Sequence, residues 1–284
     1  MVGAGGTTGD SDNYVSRPAF VFSLMNNVTV IKIGGNVIDN PDALTRFLTQ
    51  FTQLPGHKIL IHGGGKIATQ VAEKLGVPTT LIDGRRLTDE PMRDVVTMVY
   101  GGLVNKQLVA KLQALGLNAI GLTGADANVV LARKRPVRDI DYGFVGDVTA
   151  VHSEQIQHLL QQGLTPVFAP LTHDGAGHML NTNADTMASA IAVDVARHND
   201  VTLVYCFEKK GVLADPTDDT SVINQLTPAQ YAAHKATGAI NKGMIPKLDN
   251  AFGALEGGVK RVVICHADEL PQAIAQRAGT VLSN

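Results

Sequence analysis

The 284-residue chain has little of several residue types, and each shortage narrows the function classes that fit it. It contains only two cysteines, Cys206 and Cys265, far apart in sequence, which is typical of a cytoplasmic protein with reduced thiols. A formal net charge of -2 leaves no basic excess to displace counterions from nucleic acid. No apolar run approaches the roughly 18 residues that a membrane helix needs. The sequence therefore predicts a cytoplasmic globular protein that binds neither nucleic acid nor membrane.

Several well-known catalytic motifs are missing too. His62-Gly63-Gly64-Gly65 is similar to the oxyanion loop of esterases, but no Gly-x-Ser-x-Gly nucleophile elbow occurs. Gly238 and Gly243 have the spacing of a Walker A loop, yet Met244 stands where its lysine should be. No Rossmann glycine fingerprint follows a strand, and no cysteine–histidine spacing suggests a protein-held metal. These absences argue against esterases, P-loop NTPases, dinucleotide-binding enzymes and proteins with a metal centre of their own.

Two apolar, β-branched segments, residues 28–33 and 59–61, each run into glycines. Such runs predict buried strands, and the glycines let the backbone turn tightly and approach a ligand closely. Lys32 lies inside the first run, where an ammonium group is costly unless it meets an anion. Backbone N–H groups at two strand ends, together with one cation, predict a phosphate site.

From residue 28 onward, apolar strands alternate with amphipathic helices, which is the pattern of an α/β fold with a mainly parallel sheet. The predicted helices are 40–51, 66–75, 89–115, 153–162, 183–198, 228–235, 243–256 and 269–277. The remaining predicted strands are 119–122, 166–169, 201–206, 261–265 and 280–282. Residues 128–151 predict a hairpin or lid, because proline, aspartate and glycine interrupt two short β-rich runs.

The predicted helix 89–115 is apolar on more than one face, with Met92, Val95, Met98 and Leu103 among its apolar residues. It is expected to be buried twice, against its own sheet and against a second subunit. A deep core helix in a monomer would carry the same pattern, so both alternatives stand.

Three later segments carry polar residues that suit an anion site, although each has a simpler explanation. Asn181-Thr182-Asn183-Ala184-Asp185 opens a helix, so an asparagine there can simply cap it. Lys247 lies in the first turn of another predicted helix, where a cation opposes the helix dipole unless an anion or solvent compensates. Arg85 and Arg86 lie in a turn, and guanidinium groups suit bidentate carboxylate binding, although surface arginines are common in loops.

Five segments occur in the order found in the amino acid kinase family: Lys32-Ile33-Gly34-Gly35, His62-Gly63-Gly64-Gly65, Gly84-Arg85-Arg86-Leu87-Thr88, Asn181-Thr182-Asn183-Ala184-Asp185 and Gly243-Met244-Ile245-Pro246-Lys247. The chain resembles this family from residue 28 to the C-terminus, and most closely the members that act on N-acylated glutamate. The resemblance implies a three-layer αβα sandwich on a mainly parallel eight-stranded sheet. It also implies an acyl-glutamate-binding and dimerisation lobe, residues 26–197, and an ATP-binding lobe, residues 198–284. Residues 1–25, which are small and polar at their start, predict a flexible leader.

The implied reaction transfers the γ-phosphoryl group of ATP, with Mg²⁺, to the side-chain carboxylate of N-acetyl-L-glutamate, a step of arginine biosynthesis, in a homodimer. Lys32 and Lys247 match the lysines that flank the transferring phosphoryl group, and Asp185 matches the aspartate that holds them. The expected acyl-glutamate contacts are Gly64, Gly65, Arg86 and Asn181. The expected nucleotide contacts are Gly34, Gly35, Glu208, Lys209, Lys210, Gly211, Val212, Leu213, Ala239, Ile240 and Asn241. A glutamate carboxylate, with a pKa near 4.3, is already ionised at neutral pH, so the reaction needs no general base.

The chain departs from the family pattern at two places. Relatives usually carry Asp-Val-Pro-Gly where this chain has Glu208-Lys209-Lys210-Gly211, which changes the charge beside the nucleotide. Arg85 stands where relatives place an apolar residue near the acyl group. It either points to solvent or pairs with the terminal carboxylate of N-succinyl-L-glutamate, an alternative substrate.

Two other function classes compete with this interpretation. Another amino acid kinase activity, on aspartate, free glutamate, carbamate or a nucleoside monophosphate, is the nearest, and Arg86 and Asn181 favour an acylated glutamate over it. A non-catalytic sensor of nucleotide or amino acid is the second. The presence of Lys32, Asp185 and Lys247 together argues against the sensor, since sensing needs no phosphoryl clamp.

Overall fold

The computed structural model describes residues 27–82, 84–215, 217–237, 240 and 244–283. The predicted leader, residues 1–25, lies outside this part of the chain. The described strands are β1 (Asn27–Ile33), β2 (His57–Ile61), β3 (Leu81–Ile82), β4 (Arg85–Arg86), β5 (Ala119–Leu122), β6 (Val130–Lys134), β7 (Gly146–Val151), β8 (Thr165–Phe168), β9 (Leu171–His173), β10 (Met179–Asn181), β11 (Asp200–Phe207), β12 (Gln225–Leu226), β13 (Arg261–His266) and β14 (Thr280–Leu282). The described α-helices are α1 (Gly35–Ile38), α2 (Pro41–Gln53), α3 (Gly65–Lys74), α4 (Glu90–Val96), α5 (Asn105–Ala114), α6 (Ser153–Gln161), α7 (Ala184–Ala196), α8 (Pro228–Thr237), α9 (Ile245–Glu256) and α10 (Leu270–Ile274).

Eight strands form one sheet in the order β12-β14-β13-β11-β1-β2-β8-β5. Every neighbouring pair runs parallel except β13 and β14, which run antiparallel. The predicted mainly parallel, eight-stranded sheet is therefore confirmed. Its central strands are apolar on both faces, as expected for a parallel sheet that helices cover on both sides.

Helices pack on both faces of this sheet and give the predicted three layers. Along β1, Val28 and Val30 join the core beneath α6, α7 and α9, whereas Ile31 and Ile33 join the core beneath α2, α3 and α5. This alternation follows from the period of two along a strand. Within the described residues, no helix is both long enough and apolar enough to cross a membrane.

A second, four-stranded sheet has the order β10-β9-β6-β7. Its β6–β7 pair is the hairpin predicted for residues 128–151. The residues predicted as a turn at 84–88 instead include strand β4, which pairs with β3 and sets Arg85 opposite Ile82 and Arg86 opposite Leu81. That two-residue strand is too short to show as a pattern in the sequence, so the prediction of a turn was wrong at these two positions.

The helix predicted at 89–115 is one continuous helical run, in which a π-helical segment, Thr97–Val104, joins α4 to α5. It starts where the Asp89 side chain accepts a hydrogen bond from the Met92 backbone N–H, an N-cap. Met92 is buried in the core, while Met98 and Leu103 remain 54% and 44% exposed. One of its apolar faces is thus covered within the chain and another is not.

Candidate active site

The glycine turns after β1 and β2 meet at the carboxyl edge of the main sheet, because the two strands are parallel neighbours. A Cβ atom on Gly63 would lie 3.4 Å from the backbone nitrogen of Gly35. Gly64 has a φ of +151°, and a Cβ there would lie 3.1 Å from the ring of Tyr100. Helices α1 and α3 begin at Gly35 and Gly65, so free backbone N–H groups lie at this edge. The two strand ends therefore face one space, as the sequence predicted.

Lys32, Asp185 and Lys247 come together at the same edge, although they lie far apart in sequence. Lys32 Nζ is 2.7 Å from Asp185 Oδ1, and Lys247 Nζ is 3.2 Å from Asp185 Oδ2. The three residues come from β1, α7 and α9. Asn183 caps α7 by accepting hydrogen bonds from the backbone N–H groups of Asp185 and Thr186, so the capping interpretation holds for Asn183. We call Lys32, Asp185 and Lys247 the clamp.

The clamp has an excess of positive charge, since two ammonium groups share one buried carboxylate. Burial would raise the pKa of Asp185, but attraction to Lys32 and Lys247 outweighs it and leaves the pKa below its ordinary value. Burial lowers the pKa of Lys247 despite its attraction to Asp185. The ring of Phe207 adds a weaker partner, with its centroid 4.1 Å from Lys247 Nζ and 5.2 Å from Lys32 Nζ. An anionic ligand would complete the neutralisation of this site.

A cavity of about 430 Å³ opens beside the clamp, within the size range of small-molecule sites. It is lined by Lys32, Gly34, Gly35, Asn36, Phe207, Glu208, Lys209, Gly211, Val212, Leu213, Ile240, Met244 and Lys247. Lys210 is exposed and is not part of this lining, while Ala239 and Asn241 lie outside the described residues. Asn36, Phe207 and Met244 were not predicted: Phe207 looks like a core residue at the end of an apolar strand, and Asn36 belongs to no pattern.

Glu208 stands at the rim of this cavity, where the family pattern has aspartate. Partial burial would raise its pKa, but a hydrogen bond from Asn36 and attraction to Lys247 and Lys32 hold the pKa below its ordinary value. Lys209 also lines the cavity, and its Nζ pairs with Asp219 Oδ1 at 2.6 Å. The departure from the family pattern therefore adds only one cation, Lys209, to the cavity wall.

Arg86 is buried near the Gly63–Gly65 turn and has only uncharged partners. Its Nη2 donates to the Gly65 carbonyl and to Thr69 Oγ1, both at 2.8 Å, and its Nη1 lies 3.3 Å from Thr79 Oγ1. No carboxylate of the described residues pairs with it. A buried guanidinium group without an anion is costly, so Arg86 is a candidate carboxylate-binding group.

Arg85 and Asn181 occupy different positions relative to Arg86. Arg85 is exposed and Arg86 is buried, because successive residues of β4 point to opposite faces. Asn181, at the end of β10, donates from Nδ2 to Thr88 Oγ1 at 3.0 Å. Thr88 Oγ1 in turn donates to the Arg86 carbonyl at 3.1 Å. The structure thus connects Asn181 with Arg86 through Thr88 and leaves Arg85 outside this network.

His62 is fully buried beneath the glycine turn, and it hydrogen-bonds to the turn as a neutral imidazole. Its Nδ1 donates to the Gly63 carbonyl at 2.6 Å, and its Nε2 accepts from Asn105 Nδ2 at 3.2 Å. Only the neutral tautomer with a proton on Nδ1 satisfies both contacts. Burial lowers the pKa of His62 to about 4.

The buried histidine should make the stability of the protein depend on pH. Since the folded pKa is about 4 and the unfolded value is about 6.5, the unfolded chain binds a proton between these values that the folded chain excludes. The free energy of unfolding should therefore fall as pH is lowered from 6.5 to 4, by on the order of 3 kcal/mol from this group. Urea unfolding at several pH values in this range measures how the free energy of unfolding depends on pH. For His62→Gln this dependence should be weaker than for the unmodified protein, whatever the stability of the variant at pH 7. An equal dependence on pH in the two proteins would contradict the lowered pKa of His62.

The fold and the clamp together define an α/β protein with a cationic cluster at the carboxyl edge of a mainly parallel sheet. The model of the amino acid kinase family matches residues 27–266. Acetylglutamate kinase from Cytophaga hutchinsonii is 58% identical over 251 residues, which is 88% of this chain and 95% of that protein. Acetylglutamate kinase from Phocaeicola vulgatus is 53% identical over 91% of this chain and 99% of its own length. The crystal structure of a protein from Streptococcus mutans is similar with a TM-score of 0.74 and 31% identity, covering 90% of this chain and 98% of that one.

The chain belongs to the amino acid kinase family. The resemblance seen in the five sequence segments is thereby confirmed, as is the fold it implied. The family comparison spans both the strand-end glycines and the clamp.

Proposed function

We propose that this chain phosphorylates the side-chain carboxylate of N-acetyl-L-glutamate with MgATP, a step of arginine biosynthesis. The observation that carries the proposal is the presence of two candidate anion-binding groups near the glycine turns, namely the clamp and the buried Arg86. Its closest support outside the structure is the name of the relatives that are more than 50% identical over nearly their whole length.

The cavity beside the clamp is our proposed nucleotide site. ATP would be held by Gly34, Gly35, Glu208, Lys209, Gly211, Val212 and Leu213, and the buried Ile240 would close one side. Magnesium would arrive with the nucleotide as part of the substrate. Among the described residues, no group of three or more histidine, cysteine or carboxylate side chains is placed to hold a metal ion.

The proposed chemistry follows from charge. The ionised carboxylate of the substrate attacks the γ-phosphorus, a new carboxyl O–P bond forms, the bond to the β,γ-bridging oxygen breaks, and ADP leaves. No proton moves, so no general base is needed. The reaction must bring two anions together, the substrate carboxylate and the γ-phosphoryl group. The ammonium groups of Lys32 and Lys247 would neutralise the charge on the phosphoryl oxygens and so reduce the repulsion between the two anions. Asp185 would keep the two ammonium groups apart at a fixed spacing.

We assign the acyl-glutamate to the side of the glycine turns that holds Arg86. Arg86 would bind a carboxylate of the substrate, Gly64 and Gly65 would approach it with backbone groups, and Asn181 would act through Thr88. Arg85 is exposed, so a terminal carboxylate on the acyl group would have no buried partner there, which favours acetyl over succinyl. The predicted division into an acyl-glutamate lobe and an ATP lobe remains a proposal.

We also propose a homodimer in the cytoplasm. The uncovered apolar face of the helix from α4 to α5, with Met98 and Leu103 exposed, is suited to a second copy of the chain. Both cysteines are free and buried, as a reducing compartment would leave them.

A hydroxylamine trap tests the proposed reaction directly, because acyl phosphates react with hydroxylamine to give hydroxamates, which form coloured complexes with ferric iron. We expect hydroxamate from N-acetyl-L-glutamate and MgATP, and much less from N-succinyl-L-glutamate at equal concentration. Aspartate, free glutamate and carbamate serve as comparison substrates. Absence of hydroxamate from N-acetyl-L-glutamate, in protein that still binds ATP, would refute the proposal and favour a different amino acid kinase or a sensor.

A further inference from the structure

A chain of hydroxyl groups, from the buried Tyr205 to the partly buried Ser189, lies beside the clamp. Tyr205 Oη is 2.6 Å from Ser189 Oγ, and Ser189 Oγ donates to the Asn250 carbonyl at 3.1 Å. Tyr205 Oη also lies 3.2 Å from the Asp185 carbonyl. The side chain of Tyr205 is completely buried. These contacts join strand β11 to helices α7 and α9 in the middle of the protein.

Each member of this chain is a close neighbour of one member of the clamp. Tyr205 pairs with Lys32 in the parallel register of β1 and β11, so the two side chains share a face of the sheet. Ser189 lies one helical turn after Asp185 in α7, and Asn250 lies three residues after Lys247 in α9. The hydroxyl chain therefore connects α7 and α9, the two helices of the clamp, with β11, the strand that pairs with the clamp strand β1.

The number of hydroxyl protons decides which group donates and which accepts in each hydrogen bond of the chain. Two hydroxyl protons serve three contacts, and the shortest path uses them as Tyr205 to Ser189 and Ser189 to the Asn250 carbonyl. The Asp185 carbonyl is the longer, secondary acceptor. Burial and the nearby Asp185 carboxylate raise the pKa of Tyr205 far above its ordinary value. Tyr205 is thus a hydrogen-bond donor over the whole working pH range.

The ring of Tyr205 also supports the aromatic partner of the two lysines. It stacks on the ring of Phe207 with centroids 6.2 Å apart and an interplanar angle of 5°. Phe207 is the residue whose ring lies under Lys32 and Lys247. Tyr205 therefore contacts the surroundings of the clamp through both its hydroxyl group and its ring.

We propose that Tyr205 is a positioning residue for phosphoryl transfer, which fixes α9 and its Lys247 against α7 and Asp185 through Ser189. This role rests on the proposed function, because Tyr205 would keep the two lysines at a fixed spacing around the phosphoryl group. Lysine side chains are long and flexible, so the placement of their helices decides where the ammonium groups lie. Catalysis by charge is sensitive to such placement, and small displacements lower the rate more than they lower substrate affinity.

Tyr205→Phe removes the hydroxyl group and keeps the ring and its stacking on Phe207. We expect kcat to fall about tenfold, with the KM values for ATP and N-acetyl-L-glutamate changed less than about twofold. Ser189→Ala removes the middle member of the same hydrogen-bonded chain, so it should lower kcat by a similar factor.

Tyr205→Phe could also lower activity merely by lowering the stability of the protein, and this explanation must be distinguished from a positioning role. Leu48→Val, a buried change in α2 on the opposite face of the sheet, should lower the thermal midpoint and leave kcat unchanged. If Tyr205→Phe also lowers the midpoint while kcat remains at the level of the unmodified protein, the proposal is wrong. A rise in both KM values that accounts for the whole loss of activity would overturn it as well.

A second readout works without turnover and separates this proposal from the proposed function. Lysines labelled with ¹³C at Cε report their own titration by NMR, and Lys247→Arg assigns the Lys247 signal. In Tyr205→Phe we expect the pKa of Lys247, which burial lowers, to rise toward its ordinary value as α9 loosens. If the unmodified protein forms no hydroxamate, the proposed function fails, and this titration alone decides the positioning role. An unchanged Lys247 titration would refute it.

Discussion

Lys32→Met should lower kcat by about a hundred- to a thousandfold while the protein still folds and binds ATP. The substitution removes one of two cations from the transferring phosphoryl group, and the loss of one such preorganised contact typically costs this much. It also leaves Asp185 paired with Lys247 alone. Since methionine is apolar and of similar length, it should fill the buried space beside Phe207. Initial rates of hydroxamate formation at saturating substrates measure the effect.

The chain provides a matched control for this change in the adjacent strand. Lys58 is a second buried lysine, in β2, and it donates to the Leu54 and Thr52 carbonyls at the end of α2 rather than to a carboxylate. It lies at the amino end of its strand, away from the glycine turns. Lys58→Met should lower the thermal midpoint and leave kcat within about threefold. Equal losses of kcat in the two variants would mean that Lys32 matters only for folding.

The sequence allowed the fold and the charged centre of the site to be predicted for a physical reason. A lysine within an apolar strand and a lysine in the first turn of a helix each carry an unfavourable energy that an anion relieves. Lys32 and Lys247 show this conflict in the sequence, and the structure brings both to Asp185. Strands of four or more apolar residues were equally visible, because burial on both faces leaves an unbroken run of apolar residues.

Features that depend on tertiary context could not be predicted in this way. Arg85 and Arg86 are identical in type and adjacent, and only the pairing of β4 with β3 decides which one is buried. Strands β9 and β10 have three residues each, too few for a pattern. Tyr205 looks like a core residue, and its hydroxyl group gains a role only because α7 and α9 meet above it. In each case a partner strand or helix decides the outcome, and the local residue pattern does not reveal that partner.

Arg86→Leu should raise the KM for N-acetyl-L-glutamate by about a hundredfold and leave the KM for ATP nearly unchanged. Arg86 is buried, with 9% of the residue exposed, and its guanidinium group has only uncharged partners among the described residues. A substrate carboxylate is therefore its one strong partner in the proposed complex. Removing one side of a buried charge pair costs about 2 to 5 kcal/mol, which corresponds to factors of roughly thirty to several thousand. Steady-state kinetics with each substrate varied in turn separates the two KM values.

Arg85→Leu is the matched control, because it makes the same substitution at the adjacent, exposed position. If the proposed site is right, Arg85→Leu should change neither the KM for N-acetyl-L-glutamate nor the preference for the acetyl over the succinyl substrate. A shift of preference from succinyl toward acetyl in this variant would show that Arg85 binds a terminal carboxylate in the complex. The acyl group of the substrate would then have to be reassigned, while the role of Arg86 would still be decided by its own variant. The two adjacent arginines thus test the substrate's two ends separately.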